Sequence, residues 1–308
     1  MHKKVFFLGI CLTICFSQEN TKNGFHGTII LGAGVRIINS HLFPQPKDYL
    51  SSLQAKPNNY YQPIPLIGLD VSYNGIWGED KIFLKGFSGR ELGGLKLGYS
   101  TLIKKRLKSE FALISSIYER AYANPYIEGA RKERHLSKIG FGITQSYMFS
   151  PYHYLFVNYV LQHHDYKGES IPYPSLRRNK FLHQGEIGYS LYIVKILAHY
   201  DYIVADGEAE SYSNIGGKID INIPLMKGTL VFKPSFGYFE YETLAINPIF
   251  NKLRTGFVAQ ASFTMYKLNF FHPRVLFFAS YKKEKRKNNI SFYNEDFQYI
   301  MSGLGYNF

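Results

Sequence analysis

The sequence contains little of what stabilises small secreted domains or helical membrane proteins. Among its 308 residues only two are cysteine and one is tryptophan. Two cysteines are too few for a disulfide-rich scaffold. No stretch approaches the roughly 18 consecutive apolar residues that mark a transmembrane helix. These absences exclude both classes of protein and leave several all-β architectures open.

Aromatic residues and positive charge are abundant instead. The chain contains 26 Tyr and 25 Phe, which is too aromatic a composition for a disordered segment. Its 36 Lys and Arg face 23 Asp and Glu, giving a formal net charge of +13. A charge of this size commonly indicates a nucleic acid or another acidic partner. A nucleic-acid role would require access to the cytoplasm, which the start of the chain argues against.

Residues 1–17 predict a cleaved secretory signal peptide. Lys3 and Lys4 provide the basic start, residues 5–16 form the apolar segment, and Ser17 is the small residue before a polar stretch. The apolar segment is too short to span a bilayer, so we expect cleavage after Ser17. The remaining residues, 18–308, are predicted to form a single domain.

Both cysteines fall inside this predicted signal peptide. The mature chain would therefore contain no cysteine, which excludes disulfides, thiol catalysis and Cys-ligated zinc. Acylation of Cys11 or Cys15 remains an alternative. It is disfavoured because Ile10 and Ile14 precede them, where a lipoprotein signal has Gly or Ala.

Apolar residues recur at every second position after the signal, which predicts β-strands. In the first such stretch one face consists of Phe25, Gly27, Ile29, Leu31, Ala33, Val35 and Ile37. The other face is mostly small and polar: His26, Thr28, Gly32, Gly34 and Arg36, with Ile30 and Ile38 as exceptions.

The length of these alternating stretches favours a membrane barrel. They run to about 9–13 residues, which matches the tilted span of a bilayer and exceeds the usual strand of about 5–6. Gly and Ser on the polar face are typical of a barrel lumen, and Phe and Tyr at strand ends are typical of interfacial girdles. The sequence thus predicts an all-β fold, a single closed antiparallel transmembrane β-barrel in the outer membrane. A secreted soluble β-domain is the alternative.

Short and long connections alternate along the predicted barrel. Tight turns are expected at 150–151, 194–195 and 226–228, and long polar connections at 39–62, 121–133, 165–179 and 283–295. With a periplasmic N-terminus, every long connection falls on the outer side, as in outer-membrane barrels. Counting residues 81–86 as a strand gives about 14 strands, and omitting a weak pair gives about 12.

The C-terminus resembles the terminal strand of Gram-negative outer-membrane proteins. Ile300, Leu304, Tyr306 and Phe308 share one face, and the chain ends on the aromatic residue. We expect Tyr306 and Phe308 to form the signal that the barrel assembly machinery reads. The stretches NGFHGTIILGAG, NPIFNK and SFYNEDFQYIMSGLGYNF also resemble an uncharacterised family of bacterial outer-membrane proteins, domain of unknown function family 2860. The resemblance covers nearly all of the mature chain and implies an outer-membrane barrel without assigning functional residues.

No enzyme signature occurs in the sequence. The motifs G-x-S-x-G, GxGxxG, the P-loop and H-E-x-x-H are absent. A lipid hydrolase would need Ser115 or Ser302, which lie on apolar faces, but neither has a histidine clearly placed beside it. The run 162–165, Gln-His-His-Asp, could bind a metal, yet adjacent histidines on a strand point to opposite faces. A solvated loop end explains this run better, and we predict no catalytic residue, metal or cofactor.

Strand parity predicts which charged residues face the lumen. They are Arg36, Lys96, Lys138, Lys218, Lys233, Asp70, Glu186, Asp201 and Asp220, together with His26 and His199. These groups either form an ion-pair network that fills a narrow barrel or line a water-filled pore. Since rings of Lys and Arg select anions, we predict a porin or small-solute channel with a modest anion preference. The alternative is a non-conducting structural or surface-interaction barrel with lipopolysaccharide-binding or adhesive loops.

A second group of basic residues is predicted to form an outer-loop basic patch. It comprises Lys282, Lys283, Lys285, Arg286 and Lys287. This patch could bind the phosphates of lipopolysaccharide, or it could simply be a solvated loop. The expected partners are therefore outer-membrane lipids and lipopolysaccharide, the barrel assembly machinery and small anionic solutes, and no nucleic acid.

Overall fold

The computed structural model describes residues 23–46, 49–88, 93–116 and 119–308. The predicted signal peptide lies outside these residues and stays a prediction. In the part of the chain so described, no helix is long and apolar enough to cross a membrane. Short 3-10 helices occur in connections, at Pro174–Leu176, Glu208–Glu210, Met226–Gly228 and Ser291–Tyr293.

Antiparallel strands make up most of the described chain. In chain order they are β1 (Gly24–Asn39), β2 (Tyr49–Leu50), β3 (Asn59–Asn74), β4 (Lys81–Ser88), β5 (Gly93–Ile103), β6 (Leu107–Ser115), β7 (Glu119–Tyr122), β8 (Gly129–Ala130), β9 (Glu133–Ser150), β10 (His153–Tyr166), β11 (Lys180–Leu191), β12 (Val194–Ala205), β13 (Tyr212–Ile221), β14 (Ile223–Leu225), β15 (Leu230–Asn247), β16 (Lys252–Lys267), β17 (Val275–Asn288) and β18 (Glu295–Asn307).

Fourteen of these strands form one closed circuit. Each pairs with its neighbours in the order β1, β3, β4, β5, β6, β9, β10, β11, β12, β13, β15, β16, β17 and β18. The circuit closes because β18 pairs antiparallel with β1, from Asn307 opposite Thr28 to Asp296 opposite Asn39. The terminal Phe308 extends this seam, and its backbone N–H donates to the Gly27 carbonyl at 3.0 Å. The prediction of a closed 14-strand barrel is confirmed.

The outer surface of the circuit is strongly apolar. Leu31, Leu113 and Ile215 each leave more than 60% of their surface exposed, at 61%, 62% and 63%. Large exposed apolar patches of this kind are not stable in water, and closed barrels are the form in which strands span a bilayer. The protein is an integral β-barrel of the outer membrane. Tyr306 and Phe308 are also exposed on this outer face, while their predicted recognition by the assembly machinery stays a prediction.

Connections of two kinds emerge from opposite ends of the barrel. One end has short turns at 75–80, 104–106, 151–152, 192–193, 226–229 and 268–274; the other has connections at 40–58, 116–132, 167–179, 206–211, 248–251 and 289–294. The turn expected at 194–195 was placed two residues too late. Tyr192 adopts a φ of 49°, the left-handed conformation that a tight two-residue hairpin requires, so Val194 and Lys195 already belong to β12.

The inner face is less polar than the alternating pattern predicted. Ile30, one of the expected exceptions, belongs to a buried cluster near the short-turn end of the barrel. Its buried members are Ile30, Ile64, Leu66, Val231, Tyr266, Leu276, Phe278 and Met301. The lumen is therefore partly filled by apolar side chains.

Glycines on the inner face make room for aromatic rings. A Cβ added at Gly98 would lie 2.3 Å from the Phe83 ring, and one at Gly188 would lie 2.2 Å from the Phe156 ring. Both rings are buried. The small residues that indicated a lumen thus provide space beside inward rings, an arrangement also used to stabilise designed sheets.

Candidate functional site

The inner face carries a set of charged side chains. By alternation with the exposed apolar residues, it includes Arg36, Lys96, Lys138, Lys218, Lys233, Asp70, Glu186, Asp201 and Asp220. His26 and His199 lie on the same face. Which contacts these groups make determines what charge the lumen offers to a solute.

Glu110 joins two lysines on neighbouring strands. Its carboxylate accepts a hydrogen bond from the Lys96 ammonium group and lies 3.9 Å from the Lys85 Nζ. Asp70 lies directly opposite Lys85 in the pairing of β3 with β4. The sequence prediction included Lys96 and Asp70 but missed Lys85 and Glu110, because only some strands were assigned an inner face.

Two further predicted lysines make close ion pairs. The Lys138 ammonium lies 2.7 Å from the Glu119 carboxylate, which the short strand β7 brings to the inner wall. Lys218 lies 2.8 Å from Asp220, two residues away on the same face of β13. The second pair is partly exposed, so its free-energy contribution is small.

The other predicted carboxylates are held by amides. The Asn158 side chain donates to Glu186 at 3.0 Å. Gln184 and Asn214 each approach the Asp201 carboxylate at 3.5 Å. Buried carboxylates require such donors, because burying an unpaired charge costs several kcal/mol.

Several inward cations lie over aromatic rings. The Lys195 ammonium is 4.2 Å from the centre of the Phe156 ring, and that of Lys233 is 5.2 Å from the centre of Tyr266. Arg36 donates to the Gln62 side chain and lies 4.4 Å from the centre of Phe43. A ring stabilises a cation without cancelling its charge. The inner wall therefore keeps positive groups whose field a solute can sense.

The predicted outer-loop basic patch does not lie in a loop. All five of its residues belong to β17, which continues to Asn288 because β16 and β18 remain paired with it above the membrane. Alternation along the strand puts Lys282 and Arg286 on the inner face and the other three lysines on the outer face. The prediction of a loop is wrong here: residues 282–287 are all charged, so they lack the alternation of apolar and polar residues that indicates a strand.

The predicted solvated loop end at 162–165 is also part of a strand. Gln162 and His164 lie on the inner face of β10 and are buried, with the His164 Nε2 3.1 Å from the Gln162 Oε1. His163 points to the opposite face and packs against Phe181, with ring centres 4.6 Å apart. Among the residues that the structure describes, no group of three His, Cys, Asp or Glu could hold a metal ion.

The outer connections pack against one another and form a second apolar cluster. We call this assembly the loop cap. Its buried core consists of Leu50, Tyr126, Ile171, Leu176, Ala209, Ile290, Phe292 and Tyr293. These residues come from different connections, so the cap is a folded unit held together by tertiary contacts.

Three side chains meet at the centre of the cap, and we call them the cap hub: Tyr126, Glu210 and Tyr293. The two tyrosine hydroxyls are 2.7 Å apart. The Glu210 carboxylate accepts from this pair of hydroxyls, and its Oε1 lies 2.9 Å from the Tyr126 hydroxyl and 3.2 Å from the Tyr293 hydroxyl. Burial and the nearby Glu210 carboxylate raise the pKa of both tyrosines above the usual range, so both hydroxyls stay protonated and donate.

The hub residues come from widely separated parts of the barrel wall. Around the circuit, the connections at 116–132, 206–211 and 289–294 are separated by four, four and six strands. Loops rooted so far apart can make contact only by reaching over the opening. The cap hub therefore lies across the outer mouth of the barrel.

Arg254 neutralises the hub from the strand below. Its guanidinium lies 3.2 Å from the Glu210 carboxylate and 4.2 Å from the centre of the Tyr293 ring. Asn247 donates to the Tyr293 hydroxyl at 2.7 Å. A cavity of about 50 Å³ lies beside Arg254 and Tyr293, between the cap and the inner wall. It has room for a few water molecules.

Further contacts join the outer connections at 40–58 and 116–132. β2 pairs with β8, and the Arg131 guanidinium donates to the His41 carbonyl at 2.6 Å. The Leu53 backbone N–H donates to the Glu128 carboxylate at 3.0 Å. The cap is thus held by polar contacts at its edge as well as by its apolar core.

A family comparison identifies the chain. The family described as protein of unknown function (DUF2860) matches residues 24–307, which extends from the first barrel strand to the last. The chain belongs to this family. No match was found among curated proteins.

The DUF2860 barrel is also similar to solved structures. It is 11% identical to the CymD monoaromatic hydrocarbon channel, with a TM-score of 0.49, covering 94% of this chain and 90% of that one. The outer membrane protein OprD from Pseudomonas aeruginosa is 9% identical at a TM-score of 0.42, with coverages of 94% and 96%. OmpT, an outer membrane protein of Vibrio cholerae, is 8% identical at 0.44, with coverages of 92% and 96%.

Proposed function

We propose that this barrel is a channel for small solutes with a modest anion preference, and that the loop cap closes its outer mouth between openings. The observation that carries the proposal is the position of inward cations over aromatic rings. Lys85 lies over the Phe83 ring, and Lys195 lies over the Phe156 ring. A ring stabilises a cation without cancelling its charge, and a lining that keeps such cations favours anions.

Opening of the cap can be tested by planar-bilayer recording on the full-length barrel. We expect rare openings for the wild type and at least about a tenfold higher open probability for the double variant Tyr126→Phe/Tyr293→Phe. The variant removes only two hydroxyls and leaves the buried Glu210 carboxylate without two donors, each worth about 1–3 kcal/mol. Tyr173→Phe, in an outer connection but outside the hub, is the control and should match the wild type.

The possible results of this recording separate the two candidate functions. Absence of conductance in both the wild type and the double variant would contradict the channel. Equal, frequent openings in both would contradict closure by the cap.

Ion selectivity is tested by the reversal potential in a salt gradient. We expect an anion-selective potential for the wild type, because inward ammonium groups remain over rings. The Lys85 ammonium, 4.4 Å from the centre of the Phe83 ring, and that of Lys195 are two such groups. Lys85→Gln/Lys195→Gln removes both and should move the potential towards cation selectivity. Lys104→Gln/Lys105→Gln removes the same charge from an exposed turn and should leave the potential unchanged. A cation-selective wild type would contradict the anion preference.

The second candidate is a non-conducting barrel that acts through its outer surface, including adhesive loops. The cap hub favours it, since loops that hydrogen-bond across the mouth obstruct a solute. Absence of conductance in the double variant Tyr126→Phe/Tyr293→Phe would support this candidate.

A further inference from the structure

The charged run in β17 separates into two columns on opposite faces of the wall. Lys282, Glu284 and Arg286 point inward, and the remaining lysines point outward. We call the outward set the outer lysine column, and its members are Lys283, Lys285 and Lys287. The two columns have different electrostatic surroundings.

The inward column is neutralised within the barrel. Lys282 lies 3.3 Å from the Glu284 carboxylate, and Arg286 lies 3.7 Å from it. Arg286 also lies 3.4 Å from Glu295 on the neighbouring strand. The inner carboxylates are thus already engaged by inward cations.

The outer lysine column has little compensation. Lys283 is 3.7 Å from Asp296, and 42% of its side chain is exposed. Lys285 and Lys287 are exposed, and no carboxylate of the described residues lies within 4 Å of either ammonium group. The positions paired with Lys285 are Ala259 on β16 and Asp296 on β18, so Asp296 is one carboxylate beside three lysines.

The height of the column on the barrel indicates what lies next to it. The outward residues that precede it on β17 are apolar or aromatic, from Val275 to Tyr281. A strand rises about 3.3 Å per residue and is tilted by about 40°, so Lys283, Lys285 and Lys287 lie roughly 20, 25 and 30 Å above the start of β17. The apolar band of such barrels is about 25 Å tall. The lysines therefore straddle the upper edge of the apolar band, at the end that carries the long connections.

We propose that the outer lysine column binds the phosphate groups of the phosphorylated glycolipid in the outer leaflet. Ammonium groups and phosphate oxygens form short, charge-assisted hydrogen bonds. A glycolipid whose phosphates reach the column has its acyl chains beside the apolar band below. The phosphates of one glycolipid then contact the lysines, and its acyl chains cover the exposed apolar surface of β17.

Binding can be measured on the full-length barrel in detergent, by native mass spectrometry during titration with lipid A that carries two phosphates. The triple variant Lys283→Gln/Lys285→Gln/Lys287→Gln should raise the Kd on the order of 100-fold, since each lysine near an anionic surface contributes about one kcal/mol. The control Lys104→Gln/Lys105→Gln/Lys227→Gln removes the same charge at the short-turn end and should bind as the wild type does. The corresponding triple Lys→Arg variant should retain binding.

Two further ligands define what the column recognises. Lipid A stripped of phosphate should bind as weakly to the wild type as to the triple Gln variant, and inorganic phosphate alone should bind much more weakly than lipid A. Equal binding by the wild type and the triple Gln variant, or an equal loss in the control, would overturn the proposal. So would tight binding of stripped lipid A or of free phosphate. Should the triple variant fail to fold, Lys285→Gln alone is expected to weaken binding several-fold.

Discussion

Gly303→Ala is expected to prevent most of the protein from folding into the barrel. Gly303 on β18 lies directly opposite Gly32 on β1, at the seam that closes the circuit. A Cβ at position 303 would lie 2.4 Å from the Leu31 carbonyl oxygen and 2.7 Å from the Gly32 Cα. Both are backbone atoms, so the methyl group fits only if the two strands separate.

Separation of the seam is costly because it leaves backbone groups unpaired in hydrocarbon, at several kcal/mol each. We expect a loss of at least about 4 kcal/mol in stability, which is in the exceptional range for a point substitution. Heat-modifiable migration on a denaturing gel after refolding into lipid measures the folded fraction. Gly142→Ala is the matched control, since its Cβ would meet no atom closer than 3.5 Å. Equal folding of both variants would show that the seam tolerates a side chain.

Arg254→Met is expected to release the loop cap while leaving the barrel folded. Glu210 would keep its two tyrosine donors but lose the guanidinium that lies 3.2 Å away. Removing one partner of a buried ion pair typically costs about 3–5 kcal/mol, because the other charge stays buried without compensation. Limited proteolysis of the outer connections should therefore become much faster, with heat-modifiable migration unchanged.

A double variant tests whether the ion pair between Arg254 and Glu210 holds the cap. Arg254→Met/Glu210→Gln removes both charges, so most of the loss should be recovered relative to the single variant. Arg106→Met removes an exposed arginine from a turn at the opposite end and should not alter cleavage. If the double variant is cleaved as fast as Arg254→Met, the ion pair is not what holds the cap.

The barrel itself could be predicted from the sequence because its outer face contacts lipid and its inner face does not. Residues such as Leu31 and Ile215 face lipid, so the period of two is visible without any tertiary information. The same period identified Arg36 and Asp201 as inward residues. Strand ends were predicted less well, since pairing continues above the membrane, where neither face has to be apolar.

The loop cap could not be predicted, because its residues have no period. Tyr126, Leu176 and Phe292 are single apolar residues in connections that otherwise look polar, and they meet only after the barrel brings their loops together. Such residues nevertheless indicate from the sequence that the outer connections are folded. Large apolar residues in outer connections have no lipid to face, so they are expected to pack against one another.

The contact between the two hub tyrosines depends on closure of the barrel. Tyr126 and Tyr293 are 167 positions apart in the chain, and the second lies just before the last strand. We expect their hydroxyls to meet only after β18 has paired with β1, because until then the two roots of these loops belong to an open sheet. Tyr126 and Tyr293 are themselves buried, so the epitope of the finished barrel is the outer surface of the loop cap that they hold together. An antibody raised against that surface would distinguish closed molecules from assembly intermediates in intact cells.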